Sequence, residues 1–212
     1  MPHQFDFGMV EHLFPEYLTK LEKGRLLKAL AQFKDETEKK KWSSKIYTNF
    51  YGKSRYGYFL QGDMVREIRY PDYVPQNKSF DRTFTDALIL SNTCDLEKSN
   101  LRKMRKQVVM APLLEMGQFV EEASNYKGAK EIILGIKAQT VSNIFYLPPS
   151  PNNGKEYVCH FDKAFWFPTA ELNSYLPDIK QTRIHSLDYF GYYLFLVKLS
   201  YHFCRLPEEK QR

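Results

Sequence analysis

The stretch from Leu187 to Arg205 is apolar on nearly every side, and it limits the folds open to this chain more than any other feature. Phe190, Leu194, Val197 and Tyr201 recur along one face, and Leu196, Leu199 and Phe203 add a second edge, so the spacing predicts one long helix. Asp188 stands where an N-cap belongs, and Pro207 follows where a proline stop belongs. A helix without a polar face has to be buried against a sheet or against another chain. It is no membrane span, because Gly191 and Lys198 interrupt Tyr189–Leu199 and no apolar run reaches the roughly 18 residues a span needs.

The sheet it calls for is visible upstream. Asp63–Arg69 alternates apolar and polar residues, as a half-buried strand does. Asp86–Ser91 and Gln107–Pro112 are short, nearly continuous apolar runs suited to neighbouring central strands buried on both faces. A polar loop with Pro71, Pro75 and Asn77 is expected between the first two. Further strands are expected at Asn143–Leu147, Tyr157–Phe161 with an extension at Ala164–Phe167, and Thr182–Ser186. Glu115–Tyr126 and Ala129–Gln139 carry helical spacing, and Thr169 is a candidate cap for a short helix over Ala170–Tyr175. Near the N-terminus, Leu26, Leu27, Leu30 and Phe33 share one helix face. The expected fold is therefore α+β: an N-terminal helical segment over residues 1–50, then a β-rich domain over 51–212 with a helical insertion near 115–140 and a C-terminal helix.

With 43% hydrophobic residues, 16 Phe and 15 Tyr among 212 residues, the chain can build a packed core, which argues against wholesale disorder. The N-terminus shows no basic stretch followed by an apolar run, and Cys94, Cys159 and Cys204 lack framework spacing. Free thiols in a cytoplasmic protein are the expectation, with no membrane association. A net charge of +6 suits an acidic partner such as nucleic acid.

Several polar groups are candidates for chemistry. Ser91-Asn92-Thr93-Cys94-Asp95 follows a central strand, where loops hold binding groups. In a thiol enzyme Cys94 would be the nucleophile and Asp95 a general base; the alternative is a turn in which Asn92 and Asp95 bond the backbone. For Cys94, His160 and His202 are the conceivable bases. Lys98, Arg102, Lys103, Arg105 and Lys106 crowd one window that can track a phosphate backbone, with Arg66 and Arg69 on the first strand as further contacts. Cys159-His160 and His202-Phe-Cys204 lack zinc spacing, and neither a Walker-type nor a dinucleotide-binding glycine motif is present, so no metal or cofactor is expected.

The order of these pieces resembles the MazF/PemK family of toxin ribonucleases. The resemblance rests on Gly62-Asp63 opening the first strand, Ala87-Leu-Ile-Leu-Ser91, Val108-Val-Met-Ala-Pro112, Phe161-Asp162 leading into Phe167-Pro168, and Arg183-Ile-His-Ser-Leu187 feeding the terminal helix. It covers about two-thirds of the chain, and the helical insertion after Pro112 is additional. It implies a small SH3-like antiparallel β-barrel closed by helices, action on RNA, a toxin–antitoxin or defence context with a regulatory protein partner, and a homodimer as a compatible state. The family's catalytic arginine position is held here by Thr85, with Arg82 three residues earlier as the candidate cation. Leu113 and Leu114 stand where the family has a Thr or Ser. Two readings stand beside this one: a non-catalytic protein–protein interaction module, and the Cys94 thiol enzyme.

Overall fold

A computed structural model describes residues 20, 23–24, 47, 49–54, 56–74, 76–96 and 107–204. The expected N-terminal helix and the basic window of Lys98, Arg102, Lys103, Arg105 and Lys106 lie outside the described residues. The fold is α+β, built on an eight-stranded antiparallel sheet. Its strands are β1 (Tyr51–Gly52), β2 (Met64–Val74), β3 (Ser79–Ile89), β4 (Gln107–Glu115), β5 (Ile144–Leu147), β6 (Tyr157–His160), β7 (Phe165–Pro168) and β8 (Arg183–Leu187). They run in the order β1-β8-β2-β3-β4-β6-β5, with β7 also on β4. Helices α1 (Thr93–Leu96), α2 (Met116–Ala123), α3 (Ala129–Lys137), α4 (Thr169–Ser174), α5 (Ile179–Thr182) and α6 (Tyr189–Cys204) surround it.

The two apolar runs are central strands lying side by side, with Leu88 opposite Ala111 and Ile89 opposite Met110. Because alternate residues point to opposite faces, this core of the sheet is apolar on both. Met64, Leu88 and Ala111 enter a large cluster that α6 completes with Tyr193, Leu194, Phe195 and Val197. Val65, Ala87, Ile89 and Met110 enter a second cluster with Phe165, Phe167 and Leu172. Burial on two faces leaves little room for polar alternation, which is why these runs are nearly continuous, although Val109 is exposed. The glycine that interrupts α6 is needed for its approach: a Cβ on Gly191 would lie 2.5 Å from the Phe50 carbonyl oxygen.

The sheet curls until its two ends meet through side chains. Tyr51 Oη donates to the Pro148 carbonyl at 2.8 Å, the Ser150 hydroxyl and His185 Nε2 lie 2.6 Å apart, and the Phe50 and Phe145 rings touch. Among the described residues no ladder joins β1 to β5. The free edge of β5 is instead covered by two side chains. Gln139 accepts from the Tyr146 N–H and donates to the Tyr146 carbonyl, imitating a ladder partner. Fully buried Lys198, from α6, donates to the same Gln139 oxygen and to the carbonyls of Val141 and Ile144. Burial pushes the Lys198 pKa far below the ordinary lysine value, while three oxygen acceptors around Nζ suit an ammonium.

Two local expectations are corrected. The segment with Pro71 is a strand: β2 runs to Val74 and pairs with β3 as far as Ser79, forming a two-stranded arm. Pro71 is tolerated because β2 meets β8 only at Met64 and Val65, so its missing N–H breaks no ladder bond on the outer edge. Thr169 does not cap α4, whose N-cap is Pro168; the Thr169 hydroxyl is buried without a hydrogen-bond partner.

Candidate functional site

The arm is the most exposed part of the sheet, and its residues are sorted by face. On β3, Phe80, Arg82, Phe84 and Asp86 occupy alternate positions and so share the face that carries Leu88 farther along. Phe80 and Phe84 are 69% and 66% exposed, which is unusual for two large rings with polar neighbours between them. Asp72 and Asp81, register partners on the arm, take the opposite face. The arm therefore offers rings and a guanidinium on one side, with Asp86 at the base of that side, and the carboxylates of Asp72 and Asp81 on the other.

Where the arm joins the sheet, Arg66 and Glu67 together oppose the single residue Asp86, a bulge between Val65 and Ile68. Glu67 takes the left-handed backbone region, with φ 52°, which costs a non-glycine residue energy. Two bonds hold it there: its N–H donates to Asp86 Oδ1 at 3.2 Å, and its carbonyl accepts from Tyr175 Oη at 3.3 Å. Arg66 lies in the bulge, and its charge bears on both Asp86 and His185. Half-buried Asp86 has its pKa raised by burial, against the lowering pull of the Glu67 N–H, Arg66 and Lys155. Lys155 forms a 2.7 Å ion pair with Glu115. His185 is held below the ordinary histidine pKa, first by burial and then by Arg66.

The residues singled out from the sequence fall into separate places. Arg66 and Arg82 are exposed and form no hydrogen bond or ion pair among the described residues. Arg69, opposite Phe84 in register, meets Glu171 at 3.5 Å. Ser91, Cys94 and Asp95 lie past the other end of β3, about 30 Å along the chain from Arg82 at strand spacing. The Ser91 hydroxyl accepts from the Val109 N–H, and Asn92 Oδ1 accepts from the Cys94 N–H, as in a backbone-bonded turn. Cys94 is exposed in α1, whose Leu96 packs into the second cluster. His160 and His202 rest on Phe119 and Phe161 about the first cluster. Cys159 is a buried thiol whose pKa is pushed well up by burial. The Thr85 hydroxyl reaches the Leu113 carbonyl at 3.3 Å, so the two positions named in the family comparison are spatial neighbours.

A scan of family models and searches of curated proteins and of solved structures found no match to this chain.

Phe80, Phe84 and Asp86 went unnoticed in the sequence. Their signal was present in Phe80-Asp-Arg-Thr-Phe-Thr-Asp86, where aromatic and cationic residues alternate at strand period. Pro71 on the facing strand, with Pro75 close behind it in the sequence, disguised it as a loop.

Proposed function

We propose that this chain is a MazF/PemK-like protein of SH3-like barrel type that binds single-stranded RNA along the arm. The supporting observation is the single face carrying Phe80, Arg82 and Phe84, with two strongly exposed rings flanking an uncommitted cation. Exposed aromatic rings give bases a stacking platform, and a guanidinium between them meets the phosphate backbone. A duplex keeps its base faces covered, so rings of this kind select single strands. The carboxylates of Asp72 and Asp81 on the reverse side disfavour a polyanion there, which gives the strand one face to follow. The neighbouring Thr85 and Leu113 positions support kinship with the family but supply no cation or ionisable group for cleavage. The reading is therefore binding rather than hydrolysis.

The test is fluorescence anisotropy with a labelled single-stranded RNA of mixed sequence over a salt series. Replacing either ring, Phe80→Leu or Phe84→Leu, is expected to cost about 1–3 kcal/mol of binding. Arg82→Gln is expected to reduce the salt dependence by about one counterion. Binding that survives the double Phe→Leu change undiminished would overturn the proposal.

A further inference from the structure

A carboxylate at the end of a face that binds a polyanion calls for an explanation, because it repels every phosphate that comes near it. Asp86 is such a group. It follows Phe84 by two residues on β3, about 7 Å along the same face. Its orientation is set: Oδ1 accepts the Glu67 N–H, and that amide is itself held in place by the strained bulge and by the Tyr175 hydroxyl. The second carboxylate oxygen has no hydrogen-bond partner among the described residues. Burial raises the Asp86 pKa on balance, and the charges of Arg66 and Lys155 pull it back toward the ionised form.

An ionised carboxylate only accepts hydrogen bonds. It can reward a base that presents an N–H edge and penalise one that presents carbonyl oxygens. A base lying flat on the Phe84 ring turns its pairing edge outward, within the reach of a group about 7 Å away. Cytosine and adenine offer an exocyclic amino group on that edge, and guanine offers an amino group beside a ring N–H. Uracil offers one ring N–H flanked by two carbonyl oxygens, which the carboxylate repels.

We propose that Asp86 determines base specificity at the Phe84 platform, accepting a hydrogen bond from an amino-bearing base and rejecting uracil. This rests on the reading of the arm as an RNA-binding face. It also gives the bulge a purpose: strain at Glu67 is maintained to hold the carboxylate beside the platform. Asp86 is then the element that turns a sequence-tolerant stacking ribbon into one with a preference.

The experiment compares anisotropy titrations of an all-uridine hexamer with hexamers carrying one cytidine, adenosine or guanosine. The wild-type protein is expected to prefer the amino-bearing sequences by roughly ten-fold. In Asp86→Asn the side-chain oxygen still accepts the Glu67 N–H, so the fold is kept, and a matching thermal melt verifies this. That variant is expected to bring the ratio close to one, with all-uridine binding strengthened because the repulsion is gone. Position is tested with the ring variants: Phe84→Leu is expected to lower both affinity and ratio, and Phe80→Leu to lower affinity alone. Equal wild-type binding to all hexamers, or a ratio unchanged in Asp86→Asn, overturns the role of Asp86 while leaving the arm as a binding face. Absence of binding to any hexamer overturns both.

Discussion

Replacing Gln139 by leucine tests how the exposed edge of the sheet is closed. Gln139 is fully buried and bonds both backbone groups of Tyr146, and its Oε1 is one of three acceptors for Lys198 Nζ. Leucine keeps the volume and removes these three bonds together with the side-chain hydrogen bond to Tyr47. Each buried backbone group left without a partner costs about 1–3 kcal/mol, and the bond from the charged lysine is worth about 1.5–3 kcal/mol. The summed loss is about 4–6 kcal/mol once the added apolar contact is credited, roughly a quarter or more of a typical domain's stability. The left-handed backbone at this position, φ 59°, is borne by either side chain and largely cancels. Gln139→Glu is the companion variant: its carboxylate keeps both acceptor roles and faces Lys198, and it loses the amide donor to the Tyr146 carbonyl and the bond to Tyr47, so a loss smaller than that of leucine, about 1–3 kcal/mol, is expected. Urea unfolding followed by far-UV circular dichroism reads both, and faster hydrogen exchange at the Tyr146 amide should accompany the leucine variant. A loss below about 1.5 kcal/mol for leucine at unchanged slope would show that other groups satisfy the edge and would refute the role of Gln139 there.

Two further outcomes follow from packing and burial. Gly191→Ala would put a methyl 2.5 Å from the Phe50 carbonyl oxygen, so α6 has to shift; a loss of about 2–3 kcal/mol, read as a melting temperature lower by about 5–10 °C, is expected. Asp63 is buried and bonded to Arg183, Ser186 and the Leu60 N–H, yet burial dominates and raises its pKa to about 6. The folded chain then keeps a proton that the unfolded chain has released, so this carboxyl lowers stability as pH rises from about 4 to 6. Carboxyl NMR titration should find one aspartate near pH 6, and a value near 4 would refute the balance. His185 acts with the opposite sign: its pKa is lowered, the unfolded chain binds the proton first, and stability falls as pH drops below about 6.5. Urea midpoints across that range should flatten in His185→Gln.

Much of the scaffold was legible in the chain itself. The two continuous apolar runs at Leu88–Leu90 and Val108–Met110 announced central strands, and Leu187–Arg205 announced a helix packed on the sheet, because burial forces apolar residues wherever it falls; Val109, Tyr189 and Phe203 are apolar yet exposed. The alternation over Asp63–Arg69 marked a strand but not its length, since proline at 71 is the same residue in a turn and on an unpaired edge. What tertiary structure alone decided was company. Gln139 and Lys198 are 59 residues apart and meet only because α6 crosses the end of β5. Asp86 gained its neighbours from a bulge that is set by pairing register, and register is a property of two strands together. Ser91–Asp95, conspicuous as a string of polar residues, is bound up in its own turn, whereas Phe80, Arg82 and Phe84 drew no notice until one strand aligned them. Local patterns report which faces must leave water; which polar groups then stand together depends on contacts between distant segments, and those are written only in the fold.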